Sequence, residues 1–127
     1  MAVARFQLCA IDCPDARALA QFYSALTGWP ETTPHEDYPE WVQLVGDGGA
    51  TIAFQQVADF QAPQWPGQAH PQQMHLDFTV PDLDEGERAV LVLGAVKHEH
   101  QPSPEAFRVY LDPAGHPFCL VHDRYDT

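Results

Sequence analysis

Apolar positions in "RFQLCAIDCPDARALAQFYSALTGW" first alternate and then recur at a helical period, which predicts a strand followed by a helix. Leu19, Phe22, Tyr23 and Leu26 form the helical stripe, Asp15 stands as an N-cap after Pro14, and Gly28 supplies the stop. The same outline returns in "MHLDFTVPDLDEGERAVLVLGAVKHEH", where Pro81-Asp82 matches Pro14-Asp15 and Gly94 ends the helix. After the first helix, "EWVQLVG" and "ATIAFQQV" read as a hairpin across Asp47-Gly48-Gly49. After the second, "FRVYLD" and "PFCLVHD" flank the turn Pro113-Ala114-Gly115-His116. The chain therefore reads as a strand–helix–strand–strand–strand unit written twice within one domain over 1–127. Module one covers about 4–57 and module two about 73–123, joined by a proline-rich linker over 58–72.

The segment "QQMHLDFTV", residues 72–80, carries polar residues into an otherwise buried pattern. Alternation sends Met74, Leu76, Phe78 and Val80 to a core face and His75, Asp77 and Thr79 to the other. His75 and Asp77 lie about 7 Å apart along such a strand. If they pair, Asp77 can orient the imidazole and leave its other nitrogen as a general base. A hydrogen-bonded structural histidine and a solvated carboxylate are the plain alternatives, and Thr79 is most simply a strand former.

Composition narrows the function classes. A length of 127 residues with 45% hydrophobic positions suffices for one sizeable core. The net charge of −12, from 6 Lys+Arg against 18 Asp+Glu, argues against nucleic acid or an anionic membrane as a partner. No run approaches 18 apolar residues and the N-terminus lacks a basic-then-apolar signal, so a cytoplasmic protein is expected. Cys9, Cys13 and Cys119 are odd in number and form no C-x-x-C pair, which disfavours a disulfide framework or a structural zinc. Cys9 and Cys13 read as small buried hydrophobes, and Cys119 as a packing residue between Phe118 and Leu120. Phosphate loops and a serine-hydrolase elbow are absent from the sequence.

Several further side chains invite chemistry. Arg108 and Tyr110 alternate with Phe107, Val109 and Leu111, and Arg108 could draw an anionic ligand group or join a surface ion pair. Alternation leaves open which side of that strand faces a cleft. His98 and His100 in "HEH" share one strand face, with solvent exposure the expected state. His116 reads as a turn residue and His35, in "TTPHEDYPE", as part of a lid. Trp65 and Trp41 are candidates for a pocket wall or a contact between copies, and Trp65, flanked by prolines in the linker, is expected to anchor that crossing to the core.

The double unit, the helix end "FYSALTGW", the opening "HLDFTVPDLD" and the closing "LDPAGHPFCLV" together resemble the vicinal oxygen chelate superfamily over roughly 5–123. The branch they resemble is the glyoxalase-like domain proteins, also called the glyoxalase/bleomycin-resistance/dioxygenase family. The resemblance implies an α+β fold in which two βαβββ modules form an open, eight-stranded, U-shaped mixed sheet around a cleft, commonly in a homodimer. It also implies metal ligands on the first and last strand of each module. His75 matches the second-module first-strand position, seven residues before Asp82. Its counterpart in module one falls on Leu8, which cannot ligate. The last-strand glutamate falls on Cys119, four residues after Gly115, and its first-module counterpart on Ala53 or Gln55.

With one matching ligand in four, the expectation is a cleft that binds a small organic molecule without a metal. Gln55, His75, Asp77, Thr79, Arg108 and Cys119 are its candidate contacts, and His75 with Asp77 its candidate catalytic pair. The alternative is a divalent metal held by His75, Cys119 and Gln55, in a lyase, isomerase or dioxygenase.

Overall fold

The computed structural model of the chain describes residues 2–32, 34 and 36–125. The chain divides into two compact units, Met1–Phe60 and Gln61–Thr127. The division falls inside the segment read as a linker. His35, read as part of a lid, lies outside the described residues.

In the first unit, strand β1 (Cys9–Cys13) leads into helix α1 (Ala16–Thr27), and β2 (Trp41–Val45) and β3 (Thr51–Gln56) follow. Asp15 caps α1 by accepting a hydrogen bond from the Ala18 amide at 3.0 Å. Gly28 ends the helix at φ 77°, a left-handed conformation that a residue with a Cβ adopts only with strain. The sheet order is β1-β3-β2, with β1 parallel and β2 antiparallel to the central β3. The turn between β2 and β3 runs through Asp47–Gly49, where the sequence pattern put it. Leu19, Phe22 and Tyr23 bury the inner face of α1, and the Tyr23 ring stacks on Phe54 at 5.6 Å.

The second unit repeats this arrangement. Strand β4 (Leu76–Val80), helix α2 (Leu83–Leu93), β5 (Val96–Lys97), β6 (Phe107–Leu111) and β7 (Pro117–His122) form a sheet ordered β4-β7-β6-β5. Asp82 caps α2 through the Glu85 amide at 2.9 Å, and Gly94 closes it at φ 112°. In both units the first strand lies parallel to the last.

Two expectations need correction. The described residues contain seven strands, against eight expected. The strand that would complete unit one is, among the described residues, a single bridge, Glu31 to Leu44, beside which the Thr32 amide and hydroxyl donate to the Gln43 carbonyl at 2.9 and 3.1 Å. Pro30 and Pro34 bracket this stretch and cannot donate to a ladder. Secondly, β4 starts at Leu76, so His75 sits just before the strand and Met74 is 72% exposed rather than in the core.

The β-sheet of unit two has distinct faces. Leu76, Phe78, Tyr110, Phe118 and Leu120 belong to the face covered by α2, with Phe118 in contact with the rings of Phe78 and Tyr110 at 6.1 and 5.6 Å. A Cβ added to Gly86 of α2 would come within 3.1 Å of the Leu120 side chain, so the helix lies close on this face. The opposite face carries Asp77, Cys119, Val109, Phe107 and Val121.

Candidate functional site

Parallel pairing of β4 with β7 sets Asp77 directly beside Cys119, and antiparallel pairing of β7 with β6 sets Val109 on the other side of Cys119. His75, one step before β4, turns its ring toward the same place. Its Nε2 lies 3.2 Å from Asp77 Oδ1, so the pairing that the spacing left open forms. One ligand-type atom from each of His75, Asp77 and Cys119 lies within 4.8 Å of the others. His75 and Asp77 are exposed, whereas Cys119 is 6% exposed.

This environment holds the Cys119 thiol protonated. Burial, and then the Asp77 carboxylate beside it, push the thiol from an ordinary 9.0 up to about 12. A thiolate there would face both desolvation and a neighbouring negative charge. The thiol instead donates a hydrogen bond to Asp77.

The three residues help line a cavity of about 430 Å³. Its walls are largely apolar: Trp65, Pro102, Phe107, Val109, Pro117 and Val121, with Gln72 as a further polar group. That volume lies in the range of small-molecule sites, which combine apolar walls with a few convergent polar groups. Trp65 is fixed by its surroundings. Its carbonyl lies 2.9 Å from His98 Nε2, and its ring sits 5.1 Å from the rings of both His98 and His100. His98 Nδ1 accepts from the His100 amide at 2.9 Å, so Nε2 is the nitrogen that donates to Trp65 in a neutral ring. Solvent exposure was expected for this pair of histidines. His98 is instead half-buried and holds the cavity wall, because Trp65 folds over it.

The remaining candidates fall elsewhere. Arg108 is on the α2 face of the sheet, where Nη1 donates to Asp84 at 2.9 Å and lies 3.5 Å from Glu87, while Nε donates to the Pro104 carbonyl at 3.1 Å. It therefore does not face the cavity, and the ion-pair reading of Arg108 describes its surroundings. Tyr110 shares that face and donates to Glu87 at 3.0 Å. Burial, followed by the Glu87 hydrogen bond, raises the Tyr110 phenol above its usual range. Burial by itself would raise Glu87, but hydrogen bonds from Lys97 and Tyr110 outweigh it and hold the carboxyl below the usual range. Thr79 lies beside Val121 on the cavity side of the sheet but does not line the cavity.

Gln55 lies in the first unit, on β3 beside Asp12 and Trp41. The registers settle which residue corresponds to Cys119. The pair Asp77–Cys119 in unit two has Ala10–Ala53 as its equivalent in unit one, so Ala53 and not Gln55 takes that place. With Leu8 opposite His75, unit one offers only apolar side chains at these positions. His116 lies in the turn between β6 and β7, as expected; the buried Asp112 holds that turn, accepting from the Ala114 and His116 amides at 2.9 and 3.0 Å.

Sequence reasoning missed Gln72, Pro102, Phe107, Val109, Pro117 and Val121 as parts of the cavity. Gln72 and Pro102 come from irregular segments, where no periodicity marks a facing side. Phe107 carried a signal in the alternation of β6, but its side was ambiguous.

Comparison with known proteins agrees with this architecture. The sequence model of the family described as glyoxalase-like domain matches residues 9–121. No curated protein matches the chain. Among solved structures, a glyoxalase/bleomycin resistance protein/dioxygenase family enzyme from Burkholderia phytofirmans PsJN is similar at TM-score 0.69 and 17% identity, over 94% of this chain and 98% of that one. A mutant of the fosfomycin resistance protein FosX from Listeria monocytogenes, complexed with Mn(II) and 1S,2S-dihydroxypropylphosphonic acid, is similar at TM-score 0.69 and 14% identity, over 94% and 90%. TnmS3, an antibiotic binding protein from Streptomyces sp. CB03234, is similar at TM-score 0.62 and 18% identity, over 96% and 98%. At these identities the structures share the fold. With the family match running through nearly all of both units, the chain belongs to the glyoxalase-like domain family of the vicinal oxygen chelate superfamily.

Proposed function

We propose that the second-unit cavity binds a small, partly aromatic organic molecule without a resident metal. The observation that carries this reading is the cavity itself, about 430 Å³ with mostly apolar walls and the polar cluster His75–Asp77–Cys119 in its lining. Apolar walls supply affinity through area removed from water, and the polar cluster fixes orientation. TnmS3 shows that a protein of this fold can be an antibiotic binding protein. The test is a titration of the full chain with a set of small aromatic compounds, followed by amide and indole NMR shifts. Saturable shifts at Trp65, Val109 and Val121, weakened by Val109→Trp, support the reading. Shifts that map elsewhere, or none at millimolar concentration, refute it.

A second reading is favoured by one observation, the three donors within 4.8 Å. Imidazole, carboxylate and thiolate suit a divalent ion in kind and number, and His75, Asp77 and Cys119 would hold it. This set replaces the earlier expectation of His75, Cys119 and Gln55, since Ala53 occupies the corresponding register in unit one. Such an ion would act as a Lewis acid on a substrate oxygen, the chemistry of a lyase, isomerase or dioxygenase. The thiol pushed up to about 12 opposes it, because binding must first remove that proton. Metal content after loading with zinc, manganese or iron(II) separates the readings. Near one ion per chain, lost in His75→Ala, would establish the second. A homodimer, which the family resemblance implies, is checked by sedimentation equilibrium.

A further inference from the structure

The cavity has a definite charge character. Among the described residues, no Lys or Arg lines it, and Asp77 is its one carboxylate. Arg108 is turned to the other face of the sheet and is occupied by Asp84 and Glu87. The one other lining group able to carry charge is His75, and it is already engaged with Asp77 at 3.2 Å. A charged His75 cancels the carboxylate and leaves no net positive charge. The cavity lining is therefore negative or neutral, within a chain of net charge −12.

An anionic head group would meet Asp77 with no cation to receive it, at a desolvation cost that nothing offsets. The phosphonic acid bound by the Listeria FosX mutant is an example of a ligand this cavity is not equipped to take. A protonated amine meets the reverse situation. It can donate to Asp77 in a charge-assisted hydrogen bond while its carbon skeleton rests against Trp65 and Phe107, whose rings also attract cations. The negative field of the whole chain raises the local concentration of such ligands.

We propose that the cavity selects amines: its ligand is an aromatic or alicyclic compound whose ammonium group pairs with Asp77 and whose apolar body lies against Trp65 and Phe107. This deepens the organic-ligand reading above and rests on it.

Three compounds of similar size and different charge provide the test: tryptamine, the neutral alcohol tryptophol, and indole-3-propionate. Each is titrated into the full chain in mildly alkaline buffer at low and high salt. Tryptamine should bind about tenfold more tightly than indole-3-propionate, the scale of one charge-assisted hydrogen bond. Asp77→Asn should abolish most of that preference, with tryptamine losing far more affinity than tryptophol. Asp77 is 56% exposed, so the substitution removes no core packing, and a thermal melt confirms folding. Asp47→Asn, at an exposed turn of unit one, should leave the preference intact. Indole-3-propionate binding as well as tryptamine, with tryptophol also bound, overturns the amine inference and keeps the organic-ligand reading. Loss of preference in Asp47→Asn equal to that in Asp77→Asn also overturns it, since the effect is then the diffuse field of the chain. Failure of all three compounds to bind overturns both readings.

Discussion

Cys119 offers a quantitative test of the site's electrostatics. An ordinary thiol of pKa 9.0 is half ionised at pH 9, whereas one at about 12 is ionised in about one molecule in a thousand. Alkylation proceeds through the thiolate, so iodoacetamide at pH 9 should label native Cys119 roughly five-hundredfold more slowly than Cys119 in the urea-unfolded chain. Mass spectrometry resolved by peptide separates it from Cys9 and Cys13. Asp77→Asn should recover part of the reactivity but not all, because burial is the larger cause and the carboxylate the second. The same shift predicts stability. The native thiol holds its proton more tightly than the unfolded one, so the stabilisation is present below pH 9 and is lost as pH rises from 9 towards 12. The full effect is of order 4 kcal/mol, and at pH 10 the loss amounts to about 1.4 kcal/mol. Denaturation of the native chain and Cys119→Ala at pH 8 and pH 10 should therefore differ by about 1.4 kcal/mol in their response to pH, with all other groups cancelling. Native labelling within about tenfold of the unfolded rate would falsify the account, because Cys119 would then be a nearly ordinary thiol.

Other outcomes follow from the packing. Tyr110→Phe removes the donor to Glu87 but leaves Lys97 at 2.9 Å and Arg108 at 3.5 Å from that carboxylate, so urea denaturation should register a loss of only about 1 kcal/mol. A loss near that of a stranded charge, about 3 kcal/mol or more, would show that Tyr110 dominates the cluster. Asp112→Ala strips two amides of their acceptor in the turn before β7, at a residue 4% exposed, and should cost about 2 kcal/mol. Since that turn sets the start of the strand carrying Cys119, amide shifts should spread along β7; an undisturbed β7 spectrum would show that the strand is held by its neighbours alone.

Local signals carried much of this fold. The switch from period two to helical spacing is a short-range property, and so are the caps at Asp15 and Asp82 and the left-handed stops at Gly28 and Gly94. Both hairpins followed from turn chemistry for the same reason. The failures were also local in cause: "QQM" continued an apparent strand by composition, while its backbone lies outside the ladder that begins at Leu76.

The amino-acid sequence by itself determined the repeated unit, its caps and turns, the apolar content of both cores and the presence of a polar pair, His75 and Asp77, two residues apart. These depend on neighbours a few residues away, where spacing and side-chain chemistry act directly. Only the tertiary structure decided that Cys119 stands beside Asp77, that Arg108 turns to α2, and that Trp65 and Pro102 close the cavity walls. Alternation assigns a residue to a face but does not say which strand lies alongside, and β4 and β7 pair across a helix and two intervening strands. The irregular segments have no period at all, so the side chains they contribute are fixed by packing alone.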